Sequence, residues 1–336
     1  MEYKNSDYKN SDYKNSDYKN SEYSDYSDDS ESSSEKIDWS GIVIKDRYII
    51  LNKLGSGSYC TVYGIYDIDK KKMYALKIYN EEDTEDAIYE KEVMDKIKKL
   101  NIPNSILYLE SFEYEYENDS YIFQIIELCG YSLRYIIKEF CEDLKNDNKL
   151  LCKYINFIHN NNEKILSCIN KLHSNNYAHT DIKPENILID IPKLENIILY
   201  DQIKIIHEKN IALKKKGKIK NIILSLQNDC KEILNKLNVS QNDIKNYLKD
   251  FNYSIKICDF GTCLQFGDKT IYKKHTSYYK SPKIIMKYEL DKTYDLWAYG
   301  CTLYELITGN ILFDPFDINI EDKFGDNEDR NLMYLI

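Results

Sequence analysis

A glycine-rich turn, a lysine set in an apolar strand and an acid on the next helix are the first residues in this chain with chemistry to offer. Gly55-Ser56-Gly57-Ser58-Tyr59-Cys60-Thr61-Val62 lacks side chains at two positions, so backbone N–H groups there can approach phosphate oxygens. The same GxG pattern also closes ordinary hairpins, and alone it does not separate the two readings. Downstream, Ala75-Leu76-Lys77 puts a lysine inside an apolar run. A buried ammonium needs an anion, and Glu90, in helical register with Val93, Met94 and Ile97, can supply it. The pair would then hold the phosphates of a nucleotide.

Such residues need a frame to position them. Alternating apolar residues predict three antiparallel strands over 48–54, 61–66 and 73–79, each bounded by Gly, Asp or Lys. Apolar spacing at Ile88, Val93, Met94, Ile97 and Leu100 predicts a helix over 85–100 that ends before Pro103. Two more strands are expected over 106–114 and 121–127. Beyond Gly130 the pattern turns helical, over 151–174 and 291–308, with short strands at 187–189 and 255–258. The expectation is an α+β, bilobal fold: a small antiparallel sheet lobe over 41–128, then a larger, mainly helical lobe over 129–336.

Composition narrows the function classes. With 336 residues, 43% of them hydrophobic, and only 11 Gly and 5 Pro, collagen, disulfide miniproteins and wholly disordered chains are excluded. The nine cysteines form no CxxC pair, so neither a zinc cage nor a disulfide framework has its spacing, and buried reduced thiols are expected. No apolar run of roughly 18 residues could cross a bilayer, and the start carries no secretory signal. An intracellular protein, cytoplasmic or nuclear, is expected. Of the net charge of −10, the first 40 residues carry −6, from 5 Lys against 11 Asp plus Glu. The remaining −4 gives no general attraction to nucleic acid but favours a basic protein partner. Residues 1–40 open with YKNSD pentads from Tyr3, Tyr8 and Tyr13. They offer too little apolar burial to offset backbone ordering, so a disordered tail is expected, with docking or phosphorylation as its functional alternative.

The most specific set is His179-Thr180-Asp181-Ile182-Lys183-Pro184-Glu185-Asn186-Ile187-Leu188, followed at a distance by Asp259-Phe260-Gly261. It resembles the catalytic loop and metal-binding motif of the eukaryotic protein kinases, in the order those enzymes use, downstream of the glycine turn and strand lysine. The resemblance implies an ATP- and Mg²⁺-dependent transfer of phosphate to protein Ser/Thr hydroxyls. Asp181 would take the hydroxyl proton and Lys183 neutralise the transferring group. Asn186 and Asp259 would offer oxygens to Mg²⁺. Leu54, Gly55, Gly57, Val62, Lys77, Glu90, Glu127 and Cys129 would form the nucleotide site, the last two with Ile126 in the hinge. Asp295 would tie down the catalytic-loop backbone.

Thr180 replaces the usual Arg, and HTDIKPENIL is similar to the SR-protein kinases and the LAMMER (CDC-like) kinases. That resemblance implies Arg/Ser-rich protein substrates and marks 191–254 as an insert in the helical lobe. It contains a basic run at 214–218 and apolar helical spacing over 219–237. Without that Arg, a phosphate on the activation segment has nothing to grip, and constitutive activity is expected. Tyr278 and Tyr279 read as packing aromatics rather than phosphorylation sites. Three departures stand out. Lys283 takes the position of the Glu in the usual APE triplet, Ser277 replaces an Arg of the wider group, and the resemblance stops at Ile336, short of the last large-lobe helices. Exposed apolar surface on that lobe is therefore expected. The alternative function is a pseudokinase that binds partners without chemistry. Oligomeric state is left open by the sequence.

Overall fold

The computed structural model describes residues 37–57, 60–79, 84–190, 241–267, 276–317 and 327–336. The repeat tail up to residue 36, Ser58 and Tyr59 of the glycine turn, and the basic run and apolar helix of the insert lie outside the described residues.

Six antiparallel strands make one sheet: β1 (Val43–Ile44), β2 (Tyr48–Ser56), β3 (Cys60–Asp67), β4 (Lys72–Tyr79), β5 (Tyr108–Tyr116) and β6 (Asp119–Glu127). Their order is β1-β2-β3-β4-β6-β5. β4 is buried from Met73 to Tyr79, because β3 and β6 flank it and Lys77 pairs in register with Val62 on one side and Gln124 on the other. Helix α1 (Thr84–Leu100) lays Ala87, Glu90, Val93, Met94 and Ile97 inward, with Glu85 and Asp86 in its first turn and Lys98 and Lys99 in its last, as the helix dipole favours. Ile88, counted in the predicted stripe, is exposed. Ala87 takes the inward place one residue earlier.

The helical lobe is built on α2 (Leu133–Asn146) and α3 (Asn148–His173). Ser132 caps α2 by accepting from the Tyr135 N–H, and Asp147 caps α3 by accepting from those of Lys149 and Leu150. The prediction did not single out α2. Its buried Leu133, Ile136, Ile137, Phe140 and Leu144 carry a helical spacing that could have found it. Further along come α4 (Gln241–Leu248), α5 (Pro282–Ile285), α6 (Thr293–Thr308) and α7 (Glu328–Leu335). Gly309, at φ 75°, ends α6 in the left-handed conformation that glycine adopts without penalty. One buried cluster runs from Val93 and Met94 of α1 through Ile165 and Ile169 of α3 to Ala298 and Leu306 of α6, so both lobes share a core.

Two short ladders position the chemistry. β7 (Tyr177–Ala178) pairs with β10 (Leu264–Gln265), and β8 (Ile187–Asp190) pairs with β9 (Ser254–Ile257). The segments 179–186 and 258–263 are thus clamped together at both ends. The described end of the insert docks on the helices, with Phe251 5.2 Å from Tyr154 and 5.8 Å from Phe157 between ring centres. On the helical lobe Leu296, Ile307, Met333 and Ile336 are exposed. No helix among the described residues is long and apolar enough to cross a membrane.

Candidate active site

Lys77 sits on buried β4 and Glu90 on the inward face of α1. Their side chains meet with Nζ 2.7 Å from Oε1 and 2.8 Å from Oε2. Both residues are buried. The same ammonium lies 3.4 Å from Asp259 Oδ1. Burial alone would lower the Lys77 pKa, but Glu90, Tyr79 and Asp259 hold it well above the usual lysine value. The Tyr79 hydroxyl contacts Glu90, and Gln124 donates through Nε2 to the Ala87 carbonyl of α1 at 3.0 Å. These two polar residues brace α1 from inside the sheet. Sequence reasoning missed them because each sits in a run that reads as plain strand.

Asp181 is the hub of the second cluster. Asn186 Nδ2 donates to its Oδ2 at 2.8 Å, Lys183 Nζ lies 2.8 Å from the same oxygen, and the Thr276 hydroxyl donates to Oδ1 at 2.9 Å. Lys183 also donates to Thr276 Oγ1 at 2.7 Å. Burial would lower the Lys183 pKa, and Asp181 raises it above its ordinary value. Asp259 takes a left-handed backbone, φ 63°, and its side chain is 43% exposed. Packing around it would push its carboxyl up, yet Lys77, His179 and Lys183 hold it below the usual range, so it stays ionised.

The donor set suits Mg²⁺. Asn186 donates through its amide nitrogen to the Asp181 carbonyl and carboxylate, so its amide oxygen and the ionised Asp259 carboxylate are the hard oxygen donors of the set. Among the described residues no cluster of three His, Cys, Asp or Glu could hold an ion alone. A divalent ion here needs phosphate and water oxygens to complete its shell, as nucleotide-bound Mg²⁺ does.

Asp295 of α6, fully buried, accepts from the backbone N–H groups of His179 at 2.8 Å and Thr180 at 2.9 Å, and contacts His173 Nε2 at 2.8 Å. This is the tie expected of it. Thr180 is buried at φ 68°, and its hydroxyl donates to the Thr262 carbonyl at 2.5 Å. The loop is therefore locked to the segment after Asp259 by a neutral hydrogen bond.

The other expected residues lie on β2, β3 and β6 and just beyond β6. Gly55 and Val62 face each other across the β2–β3 ladder, and Leu54 is exposed. Among the described residues, no atom lies within 4 Å of a Cβ built on Gly55 or Gly57. Glu127 ends β6, its side chain held by the Leu107 N–H at 3.1 Å and by Lys256. Burial and Glu127 push the Cys129 thiol up to about 12, which keeps it protonated.

Beyond Thr276 the segment is held by groups the sequence did not predict. Tyr279 is buried, and its hydroxyl donates to Glu305 Oε2 at 2.6 Å and accepts from Arg134 Nη2 at 2.8 Å, in keeping with a packing role. Ser277 contacts Glu328, and Lys280 lies 2.9 Å from Asp329, so the acidic start of α7 grips this stretch. Lys283 reaches Asp291 at 2.6 Å.

The protein kinase domain family matches residues 48–331. Curated relatives include a serine/threonine-protein kinase of Acanthamoeba polyphaga mimivirus, 24% identical over 93% of this chain and 76% of its own length. Serine/threonine-protein kinase prp4 of Schizosaccharomyces pombe is 22% identical over 80% of this chain. Serine/threonine-protein kinase AFC3 of Arabidopsis thaliana is 26% identical over 82%. This chain spans 43% of prp4 and 58% of AFC3. A crystal structure of another kinase domain superposes with a TM-score of 0.53 at 25% identity, covering 82% of this chain and 69% of that one. With its sheet lobe, clamped loop and Lys77–Glu90–Asp259 contacts, the chain belongs to the protein kinase domain family, among relatives of the serine/threonine type.

Proposed function

We propose that this chain transfers the γ-phosphate of ATP, with Mg²⁺, to serine or threonine hydroxyls of proteins, and that Arg/Ser-rich proteins are its first substrate class to try. The observation that supports this most is the Asp181 carboxylate, held by Asn186, Lys183 and Thr276 and poised to receive a proton. In this reading Asp181 orients the acceptor hydroxyl and takes its proton as the oxygen attacks. Lys183 stabilises charge on the moving group, and Lys77, fixed by Glu90, holds phosphate oxygens in line. ATP and Mg²⁺, when bound, supply the transferable phosphoryl group and neutralise its charge; Asn186 and Asp259 would hold the ion. An intracellular site of action, where ATP is at hand, goes with this reading.

Asp181→Asn decides the matter. Radiolabelled ATP and serine peptides should show incorporation by the natural chain and a loss of about 10²- to 10⁴-fold in the variant. Equal incorporation by both would remove Asp181 from the chemistry. The scaffold alternative draws on Lys283 and the short lobe; Lys283 is paired with Asp291.

A further inference from the structure

We propose that Tyr79 is a positioning residue for phosphate transfer: its hydroxyl fixes the Glu90 carboxylate in the pose that holds Lys77, and so sets α1 from inside the sheet. The inference rests on the kinase reading and adds to it a residue outside the motifs that carry the family resemblance. Tyr79 ends β4, two positions beyond Lys77, so the two side chains leave the strand on one face. Gln124 of β6 stands directly opposite Lys77 and shares that face. Water has little access to the group: Glu90 is 5% exposed, Tyr79 3% and Gln124 0%.

The Glu90 carboxylate has three fixed neighbours. Lys77 Nζ reaches its two oxygens at 2.7 and 2.8 Å, and the Tyr79 hydroxyl donates to Oε2. Gly261 lies on the Oε2 side, where a Cβ built on it would come within 3.2 Å. Lys77 alone leaves the carboxylate free to turn, because an ammonium is a point charge on a flexible stem. The hydroxyl adds a second direction. Burial holds the Tyr79 phenol well above its ordinary pKa, against the pull of Lys77, so it keeps the proton it donates.

Gln124 completes the arrangement. Its Oε1 lies 3.2 Å from the Tyr79 hydroxyl, and its Nε2 donates at 3.0 Å to the carbonyl of Ala87, three residues before Glu90 on the inward face of α1. The tyrosine ring packs with Ala87 and Ile122. The turn that carries Glu90 is thus tied to the sheet by side chains from two strands. A tyrosine that only filled this space would act through its ring, and phenylalanine would replace it. A donor buried away from water cannot be replaced by solvent, so losing the hydroxyl alone loosens the carboxylate.

The test compares the full natural chain with Tyr79→Phe, which keeps the ring. In phosphate transfer from ATP to a serine peptide, kcat should fall about ten-fold or more, as for a hydrogen bond to a charged group, while KM for ATP moves by less than about three-fold. On a Glu90→Gln background the same change should cost less than about three-fold further, because the hydroxyl acts through that carboxylate. Hydrogen exchange without nucleotide should quicken about ten-fold or more at amides 87–91 and stay unchanged in β4 and β6. A kcat within about three-fold of the natural chain, a loss carried by KM, the full loss repeated on the Glu90→Gln background, or exchange quickened evenly through the sheet overturns the proposal. Should Tyr79→Phe fail to fold because the Gln124 oxygen is stranded, Tyr79→Phe combined with Gln124→Met removes both groups, and the same outcomes decide. If the natural chain transfers no phosphate, the kinase reading falls alone, since exchange still reports whether the hydroxyl holds the turn of Glu90.

Discussion

Lys283 and Asp291 are joined across the turn between α5 and α6, Nζ to Oδ2 at 2.6 Å, with Thr293 donating to the same carboxylate through its backbone N–H at 2.9 Å. The lysine that departs from the family triplet thus has a partner close by in sequence. Both side chains are more than 40% exposed, so the pair contributes at most about 1 kcal/mol. Replacing Lys283 by the family's Glu would set two carboxylates together. Lys283→Glu should lower the thermal midpoint by about 2 to 4 °C. A rise would show that the glutamate has found another cation.

The Lys77–Glu90 pair is buried, and breaking it from one side leaves a charge without water. Lys77→Met and Glu90→Gln should each cost about 3 to 5 kcal/mol by denaturant unfolding. The double variant should cost clearly less than their sum, because neither charge is then left alone. Simple additivity would mean that the two side chains do not depend on each other.

Gly261 stands beside this pair. A Cβ built there would come within 3.2 Å of Glu90 Oε2. Gly261→Ala should push that carboxylate off Lys77 and cut phosphate transfer more than it cuts stability, which should fall by about 1 to 2 kcal/mol. An undiminished rate would show that Glu90 has room to yield.

Thr180 offers no charge to an activation-segment phosphate, and its hydroxyl is already committed to Thr262. Protein stripped by a phosphatase should keep its rate within about two-fold of the phosphorylated form, since the charge pairing that drives such switches has no arginine at this position. Large activation by phosphate would point to another cation as the receiver.

Acid should loosen the fold in a defined window. Burial would push the Asp67 carboxyl up, but Arg47, donating at 2.9 and 2.6 Å, holds it below the ordinary range. Asp291 and Asp259 are likewise depressed. A carboxyl with a lowered folded-state pKa contributes in full above its unfolded value of about 3.9 and is lost as pH falls through the folded one. Denaturant midpoints should be flat from neutral pH to about 5 and drop below about 4. Asp67→Asn should shallow that drop, and an unaltered slope would assign it elsewhere.

Most of the frame was legible because its periods are strong. The strands β2 to β6 and α1 fall within two residues of their predicted bounds, since each carries a run of apolar residues with a regular period. The candidate site stood out in the sequence for a different reason: Asp181, Lys183 and Asn186 lie close together in the chain, and Lys77 and Glu90 are charges among apolar residues. What escaped were polar residues whose roles come only from distant neighbours. Arg134 looks like a surface helix residue until Glu185, Tyr279 and Glu305 are folded around it. Gln124 and Tyr79 pass for strand filler until α1 is laid against them. β1, two residues long, carries no period at all.

The β8–β9 ladder, which pairs Asp190 with Ser254 and Ile187 with Ile257, has one more implication. Sixty-three residues, 191 to 253, separate its two strands in sequence. Closing a long excursion costs little more than closing a short one, about 0.6 kcal/mol for each doubling. This hairpin is therefore a permissive splice point: lineages, or protein engineers, can graft a sensor or a targeting module there while the transfer machinery a few residues away keeps its alignment.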